Sequence, residues 1–235
     1  MTGATGYIGG RLAPRLVEDG YAVRVVSRDP HRLRDVPWHD QVEVAKADVS
    51  DPVAVRAAME GVDVAYYLVH SMQGGSDFAE RDRVAAQVFA DAAREAGVRR
   101  LVYLGGLLPD DRSELSVHLR SRAEVGDILL GSGVPTAVLQ AAAILGSGSA
   151  SFEMLRYLTE RLPIMVTPKW VRSRMQPIAV RDVLHYLCGC VDLPDDVHRT
   201  LKARAAAAGV SLSDYLLDEL SRVASRPPMS DVLAR

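Results

Sequence analysis

Cysteine is nearly absent from the 235 residues, with only Cys188 and Cys190 present. Two thiols so close together cannot build a disulfide framework, and no second Cys or His pair stands at zinc-ligand spacing. Neither a disulfide-rich secreted scaffold nor a bound metal is expected, and the expected compartment is the reducing cytoplasm. No apolar run approaches the roughly 18 residues of a membrane span, and the first residues form neither a basic n-region nor an apolar h-region. Membrane insertion and secretion are therefore not expected. Charge of one sign is also lacking, since 28 Lys and Arg against 30 Asp and Glu leave a net charge of -2. No global basic field draws the chain to nucleic acid or anionic lipid.

The remaining composition, 48% hydrophobic and 25% charged, is that of a globular chain. At roughly 150 residues per domain, the length suits one full domain with an appendage. Up to about residue 192, short β-branched runs alternate with longer amphipathic stretches, the pattern of βαβ units around a parallel sheet. Strands are expected at 22–28, 42–47, 63–69, 100–105 and 135–140, and helices at 7–19, 52–60, 77–96, 113–130 and 151–161. In the first helix Ile8, Leu12 and Leu16 share one face, and Gly20 stands where it would stop. Beyond residue 193 the alternation ends, and two helices are expected back to back at 195–208 and from 211 onward. Gly209-Val210 separates them, and Ser211 with Asp214 makes a capping pair for the second.

The opening Thr2-Gly3-Ala4-Thr5-Gly6-Tyr7-Ile8-Gly9-Gly10 runs straight into the first helix with glycines at G-x-x-G-x-x-G. Small residues let a backbone turn tightly and approach a pyrophosphate, which the free N–H groups of a helix start then hold. An isolated match of this kind would be a plain turn. The following helix and βαβ series make Gly3, Thr5, Gly6, Tyr7, Ile8 and Gly9 a candidate dinucleotide site. About twenty residues further on, where an acidic residue would meet the ribose of NAD, the strand ends in Ser27-Arg28. A guanidinium matches a 2′-phosphate, so NADP is the expected cofactor, while Asp29 keeps NAD open. Asp48-Val49 closes the next strand, where the carboxylate can reach an adenine amino group.

In order, TGATGYIGGRL (2–12), VVSRDP (25–30), ADVSD (47–51), AYYLVHSM (65–72), RLVYLGGL (100–107), HLRSRAEVGDILLGSG (118–133) and QPIAVRDV (176–183) resemble the NmrA-like, atypical branch of the short-chain dehydrogenase/reductases. The resemblance covers about residues 1–192. It implies a Rossmann-like α/β fold, NAD(P) binding and, for an active member, oxidoreductase chemistry. Catalytic members use a Tyr four residues before a Lys, but the matching helix here reads His118-Leu119-Arg120-Ser121-Arg122. The supporting Ser of the preceding strand is replaced by Gly105-Gly106. The usual proton-transfer machinery is absent. His118 is the one candidate proton donor, although lining the nucleotide site or capping a helix is the first reading for His118 and Arg122. The resemblance also sets Leu68 and His70 at the end of the fourth strand, beside the nicotinamide, with Tyr66, Tyr67 and Met72 ranked as lining residues only, core and rim packing being the commoner fate of such aromatics.

In this family a first strand precedes the glycine loop, yet only Met1 and Thr2 stand before Gly3. Losing four or five buried apolar side chains of a central strand would forfeit on the order of 10 kcal/mol, comparable to a typical total stability. The expectation is therefore that the natural product starts upstream of this Met, or that this polypeptide holds nucleotide poorly.

LPDDVHRTLKARAAAAGVSLSDYLLDELSRVASRP (193–227) resembles ribbon-helix-helix antitoxins of the VapB type, partners of PIN-domain toxins. In that fold a strand before the first helix reads DNA as a dimer. The matching stretch, Tyr186 to Asp192, carries no Arg, Lys, Asn or Gln to read base edges. Residues 192–235 hold six Lys and Arg against seven Asp and Glu, so DNA binding is disfavoured, while dimerisation or toxin binding stays open. A relic of fusion with neither activity complete is the third reading. Cys188 and Cys190 are taken as small buried residues at a helix end.

Overall fold

Each expected strand forms, and every pairing among the described residues is parallel. The computed structural model describes residues 1–70, 77–109, 112–113, 115–161 and 176–192, with residues 204, 207 and 208 beyond them. The chain divides into two units, Met1–Val191 and Asp192–Arg235. In the first unit, helix α1 (Gly9–Glu18) leads to β1 (Arg24–Ser27), β2 (Glu43–Lys46), α2 (Pro52–Met59) and β3 (Val64–Tyr67). Then come α3 (Phe78–Glu95), β4 (Arg100–Gly106), α4 (Val117–Leu130) and β5 (Thr136–Ala141). A second small sheet pairs β6 (Ala143–Leu145) with β7 (Pro177–Ala179), separated in sequence by α5 (Ala150–Arg161) and followed by α6 (Val180–Asp192).

The strands form a β1–β2 pair and a β3–β4–β5 sheet, and Met1-Thr2 lies between them. Thr2 bridges Val26 of β1 in parallel. The Val26 N–H donates to the Met1 carbonyl (2.8 Å), and the Thr2 N–H donates to the Tyr66 carbonyl of β3 (2.9 Å). The Thr2 hydroxyl donates to the same carbonyl and accepts from the Leu68 N–H, both at 3.1 Å. Two residues thus keep the place of the family's first strand, giving the order β2–β1–(Met1-Thr2)–β3–β4–β5. What they lack is the run of side chains that a full strand would bury.

Side chains alternate faces along a strand, and the core divides accordingly. Ala65, Tyr67, Leu101 and Tyr103 pack with Val55, Met59, Phe89 and Leu129 of α2, α3 and α4. Tyr66 and Val102 instead pack with Leu12, Leu16 and Val25, and with Val183 and Leu187 of α6. Helices therefore cover both faces, as a parallel sheet requires.

Helix α6 occupies the stretch where a DNA-reading ribbon would have to lie. Val183, Leu187 and Cys190 recur at helical spacing and are buried. The Tyr66 hydroxyl donates to the Leu187 carbonyl at 2.7 Å. The buried Arg100 guanidinium donates to the Cys190 carbonyl at 2.9 Å, placing a cation at the helix C-terminus where the dipole favours one. Burial pushes both cysteine thiols up to about 11, with Asp19 adding to the effect at Cys188. Neither is poised to react near neutral pH.

Of the second unit, the Ala208 N–H donates to the Arg204 carbonyl, a helical bond within the first expected helix. The rest of that helix, the second helix, the tail and Met72 lie outside the described residues. No helix among the described residues is long and apolar enough to cross a membrane.

Candidate functional site

The glycine loop turns tightly at Gly3, whose φ of 72° is the left-handed region open to glycine. A Cβ on Gly3 would lie 2.5 Å from the Leu68 carbonyl oxygen, and one on Gly9 would collide with the Gly3 carbonyl. These two glycines therefore press the loop against the end of β3 and the start of α1. Gly6 differs, because its N–H closes the turn onto the Gly3 carbonyl at 2.9 Å while Gly6 and Thr5 face solvent. Ile8 is the N-cap of α1 and offers no capping side chain. Among the described residues the N–H groups of Tyr7 and Ile8 have no acceptor. A short loop with bare amides at a helix start fits a pyrophosphate on charge and on shape.

At the end of β1, Ser27 and Asp29 are occupied with each other and with the chain ahead. The Ser27 hydroxyl donates to the Asp29 carbonyl at 2.9 Å. Asp29 Oδ1 accepts the His31 N–H at 3.1 Å as cap of a short 3-10 helix, Pro30–Leu33. Arg28, between them, is exposed. Its charge reaches Asp48 at the end of β2, so these two residues from neighbouring strands share one edge. The Ser50 hydroxyl (2.6 Å) and N–H (2.9 Å) both donate to Asp48 Oδ1. These two bonds hold the Asp48 carboxyl below the usual carboxylate value, with Arg28 adding to the effect and burial opposing it. Val49 follows, half-buried.

The β3 and β4 ends have a different character. Leu68 backs the glycine loop, and His70, three residues beyond β3, is exposed at the end of a described segment. Partial burial of the ring within its exposed residue lowers the His70 pKa, the Arg122 guanidinium acts in the same sense and Asp82 opposes both. Tyr66 and Tyr67 are core residues rather than lining ones, at 3% and 2% exposure. The Tyr67 ring meets Phe89 edge-on at 5.0 Å. Burial raises the pKa of both Tyr67 and Tyr103, so neither phenol is prepared to give a proton near neutral pH.

Tyr103 also accounts for the glycine that replaces the family's Ser. A Cβ on Gly105 would lie 2.9 Å from the Tyr103 ring, whose hydroxyl donates to the Arg122 carbonyl at 3.2 Å. On α4 the cap is Ser116, which accepts the Leu119 N–H at 3.3 Å, so His118 does not cap the helix. The helix accordingly begins at Val117, later than the expected residue 113. His118 is exposed and stacks on Phe78 with ring centroids 4.6 Å apart. The neighbouring Ser121 hydroxyl donates to Asp82 of α3 at 3.3 Å. Sequence reading passed over Phe78, Asp82 and Ser121, because their roles arise from packing α3 on α4. Among the described residues no three metal-ligating side chains converge.

Comparison with known proteins supports the fold and NAD(P)H binding. Residues 3–156 match the family model described as NAD(P)H-binding. Residues 192–224 match the FitA-like antitoxin, ribbon-helix-helix model. The chain is 29% identical over 187 residues to the ceramide reductase of Caulobacter vibrioides, covering 77% of this chain and 57% of that protein. It therefore spans little more than half the length of that relative. Over 44 residues, 19% of this chain and 59% of the relative, it is 50% identical to VapB12, an antitoxin candidate of Mycobacterium tuberculosis. The solved structure of the Bordetella bronchiseptica enzyme WbmH, in complex with NAD+, shares the fold at 20% identity. Its TM-score is 0.65 over 81% of this chain and 70% of that one. With its loop, parallel sheet and two-sided helices in place, this chain belongs to the NAD(P)H-binding family and carries a ribbon-helix-helix antitoxin-like segment at its C-terminus.

Proposed function

We propose that the α/β unit is an NADP(H)-binding module of the reductase type, working in the reducing cytoplasm. Tyr7 and Ile8 offer amides to the pyrophosphate, with Gly3, Thr5, Gly6 and Gly9 shaping the loop. Arg28 takes the 2′-phosphate, and Asp48 with Val49 receives the adenine. Leu68, His70 and Arg122 flank the nicotinamide end. The carrying observation is the division of labour at the end of β1, where Asp29 caps a 3-10 helix while Arg28 stays exposed beside Asp48. A carboxylate turned to capping is a poor ribose ligand, and an exposed guanidinium is a good phosphate ligand. When bound, the nicotinamide would supply hydride chemistry. The proton has no Tyr–Lys pair to come from, which leaves the exposed His118 as its candidate donor, for a substrate the present residues do not name.

The test is a thermal shift of the purified chain with NADPH and with NADH, since a ligand that binds only the folded state stabilises it by RT ln(1 + [L]/Kd). At about a hundredfold excess over Kd the gain is roughly 2.7 kcal/mol. A larger shift with NADPH than with NADH is expected. Equal shifts would remove Arg28 from the 2′-phosphate, and no shift with either would overturn the module itself.

A second reading concerns residues 192–235, for which we infer protein binding, to a PIN-domain toxin or to a second copy. It rests on the antitoxin-like match beginning at residue 192 and on α6 filling the stretch ahead of it. A ribbon made of helical, core-packed residues is not available to pair in a major groove. Co-expression with a PIN-domain ribonuclease should yield a complex on size exclusion, and operator DNA should not shift. A DNA shift would reverse this assignment.

A further inference from the structure

We propose that Arg11 and Tyr7 form a clasp holding the glycine loop to the loop between β6 and α5, making Arg11 a positioning residue for the dinucleotide site. This rests on the NADP(H)-binding reading. Four contacts fix the geometry. Arg11, in the first turn of α1, lays its guanidinium 3.9 Å above the Tyr7 ring. One of its nitrogens, Nη1, donates to the Tyr7 carbonyl at 3.1 Å, and Nη2 donates to the Ser147 carbonyl at 3.0 Å. The Tyr7 hydroxyl donates to that same Ser147 carbonyl at 3.2 Å.

The far side of the clasp is itself built to stay put. A Cβ on Gly146 would lie 2.5 Å from the Tyr7 hydroxyl oxygen and 2.6 Å from Val180 Cγ1, so the β6 end is pinched between the glycine loop and the start of α6. Ser149 and Glu153 bond the start of α5 reciprocally. The Ser149 hydroxyl accepts the Phe152 N–H at 3.1 Å, and a Glu153 carboxylate oxygen accepts the Gly148 N–H at 3.2 Å.

The consequence follows from where Tyr7 sits. Its amide is one of the two bare donors assigned to the pyrophosphate, while its carbonyl and side chain are held by Arg11 and Ser147. A flexible loop would have to be ordered when nucleotide binds, and that ordering costs affinity. With the clasp closed the amides are already set, and ordering the pyrophosphate end also orders Gly146 to Ser149. Arg11 touches carbonyl oxygens and a ring here, so its effect on nucleotide passes through Tyr7.

The experiment compares the wild type with Arg11→Ala, Arg11→Lys and Tyr7→Phe, reading nucleotide Kd by calorimetry and amide hydrogen exchange with and without NADPH. Arg11→Ala should weaken NADPH and NADH by the same factor, about tenfold. Lys, able to reach one carbonyl, should recover part of the loss, and Tyr7→Phe should lose less than Arg11→Ala. In the free protein, Arg11→Ala should speed exchange at residues 146–149 and at 6–10. In the wild type, NADPH should protect both stretches, but in Arg11→Ala it should protect only the glycine loop. Unchanged exchange at 146–149 in the free Arg11→Ala variant would overturn the clasp whether or not nucleotide binds. Loss of NADPH affinity alone would make Arg11 a direct phosphate ligand instead. A wild type that binds neither nucleotide would defeat the NADP(H) reading while leaving the free-protein exchange to judge the clasp.

Discussion

Two stretches at the carboxyl ends of the same parallel strands differ in character. At the glycine loop and the β1 and β2 ends stand the residues proposed for the dinucleotide, from the pressed glycines to Arg28 beside Asp48. At the β4 end and the start of α4, the resemblance implies that His118 and Arg122 stand where catalytic members have their Tyr and Lys, and Gly105-Gly106 where they have the supporting Ser. The second set of changes is not random loss, because Tyr103 covers Gly105 and hydrogen-bonds the Arg122 carbonyl. The contrast teaches that binding and chemistry are separable on one fold. A binding loop is held by backbone geometry, which few substitutions satisfy, while a proton donor is a side chain that packing can replace.

The contrast can be broken or sharpened in order of expected effect. Gly9→Ala forces a Cβ into the Gly3 carbonyl and should cost about 3 kcal/mol in urea unfolding, with loss of any nucleotide-induced thermal shift. If stability and nucleotide response survive, the loop is not the rigid element described. Arg28→Ala should weaken NADPH at least about tenfold and leave NADH unchanged in titration calorimetry, as expected for loss of charged hydrogen bonds. An equal loss for both nucleotides would place Arg28 elsewhere on the ligand.

Tyr66→Phe removes the 2.7 Å bond to the Leu187 carbonyl and should cost about 1 kcal/mol, read as a lower denaturant midpoint at constant m. His118→Ala should leave nucleotide affinity within about twofold, as suits an exposed ring stacked on Phe78. A hundredfold fall in turnover of any carbonyl or quinone substrate at that unchanged affinity would support His118 as the proton donor, and unchanged turnover would remove it from that role.

The smallest effect is in pH. His70 titrates below its ordinary value in the folded chain, so the unfolded chain binds more protons as pH falls below about 6.5. Its contribution to stability is complete above that pH and is lost as pH drops through the folded value. Replacing it by Asn should flatten the midpoint-against-pH curve just below about pH 6.5; an unchanged slope would assign that dependence to other groups.

Much of the fold was legible because its signals are local. Leu12 and Leu16 repeat at helical spacing, and Asp51 stands one residue before Pro52, where its carboxylate caps α2. The glycine loop was legible for the same reason, since tight turns need particular residues at fixed spacing. The small β6–β7 sheet escaped notice because three-residue strands carry too little alternation to stand out. Helix α6 was hidden beneath a competing resemblance, although Val183, Leu187 and Cys190 already had its period. Tyr66 and Tyr67 take the core packing that is the commoner fate of such aromatics instead of lining the site, since period-2 alternation sends them to opposite faces, and both faces here are covered by helices.

By itself, the sequence determined the alternation of strands and helices, the phosphate-shaped loop, Arg28 at the end of its strand and the absence of a Tyr–Lys pair. Each of these is set by residues within one turn or one strand of each other. Tertiary structure alone decided that Met1-Thr2 would fill the place between β1 and β3, that Asp29 would cap while Arg28 stayed free to face Asp48, and that Arg11 would reach Ser147. Those outcomes join residues from 20 to 136 positions apart or turn on which of two neighbours a helix start engages. They depend on chain segments meeting in space, which no local pattern encodes.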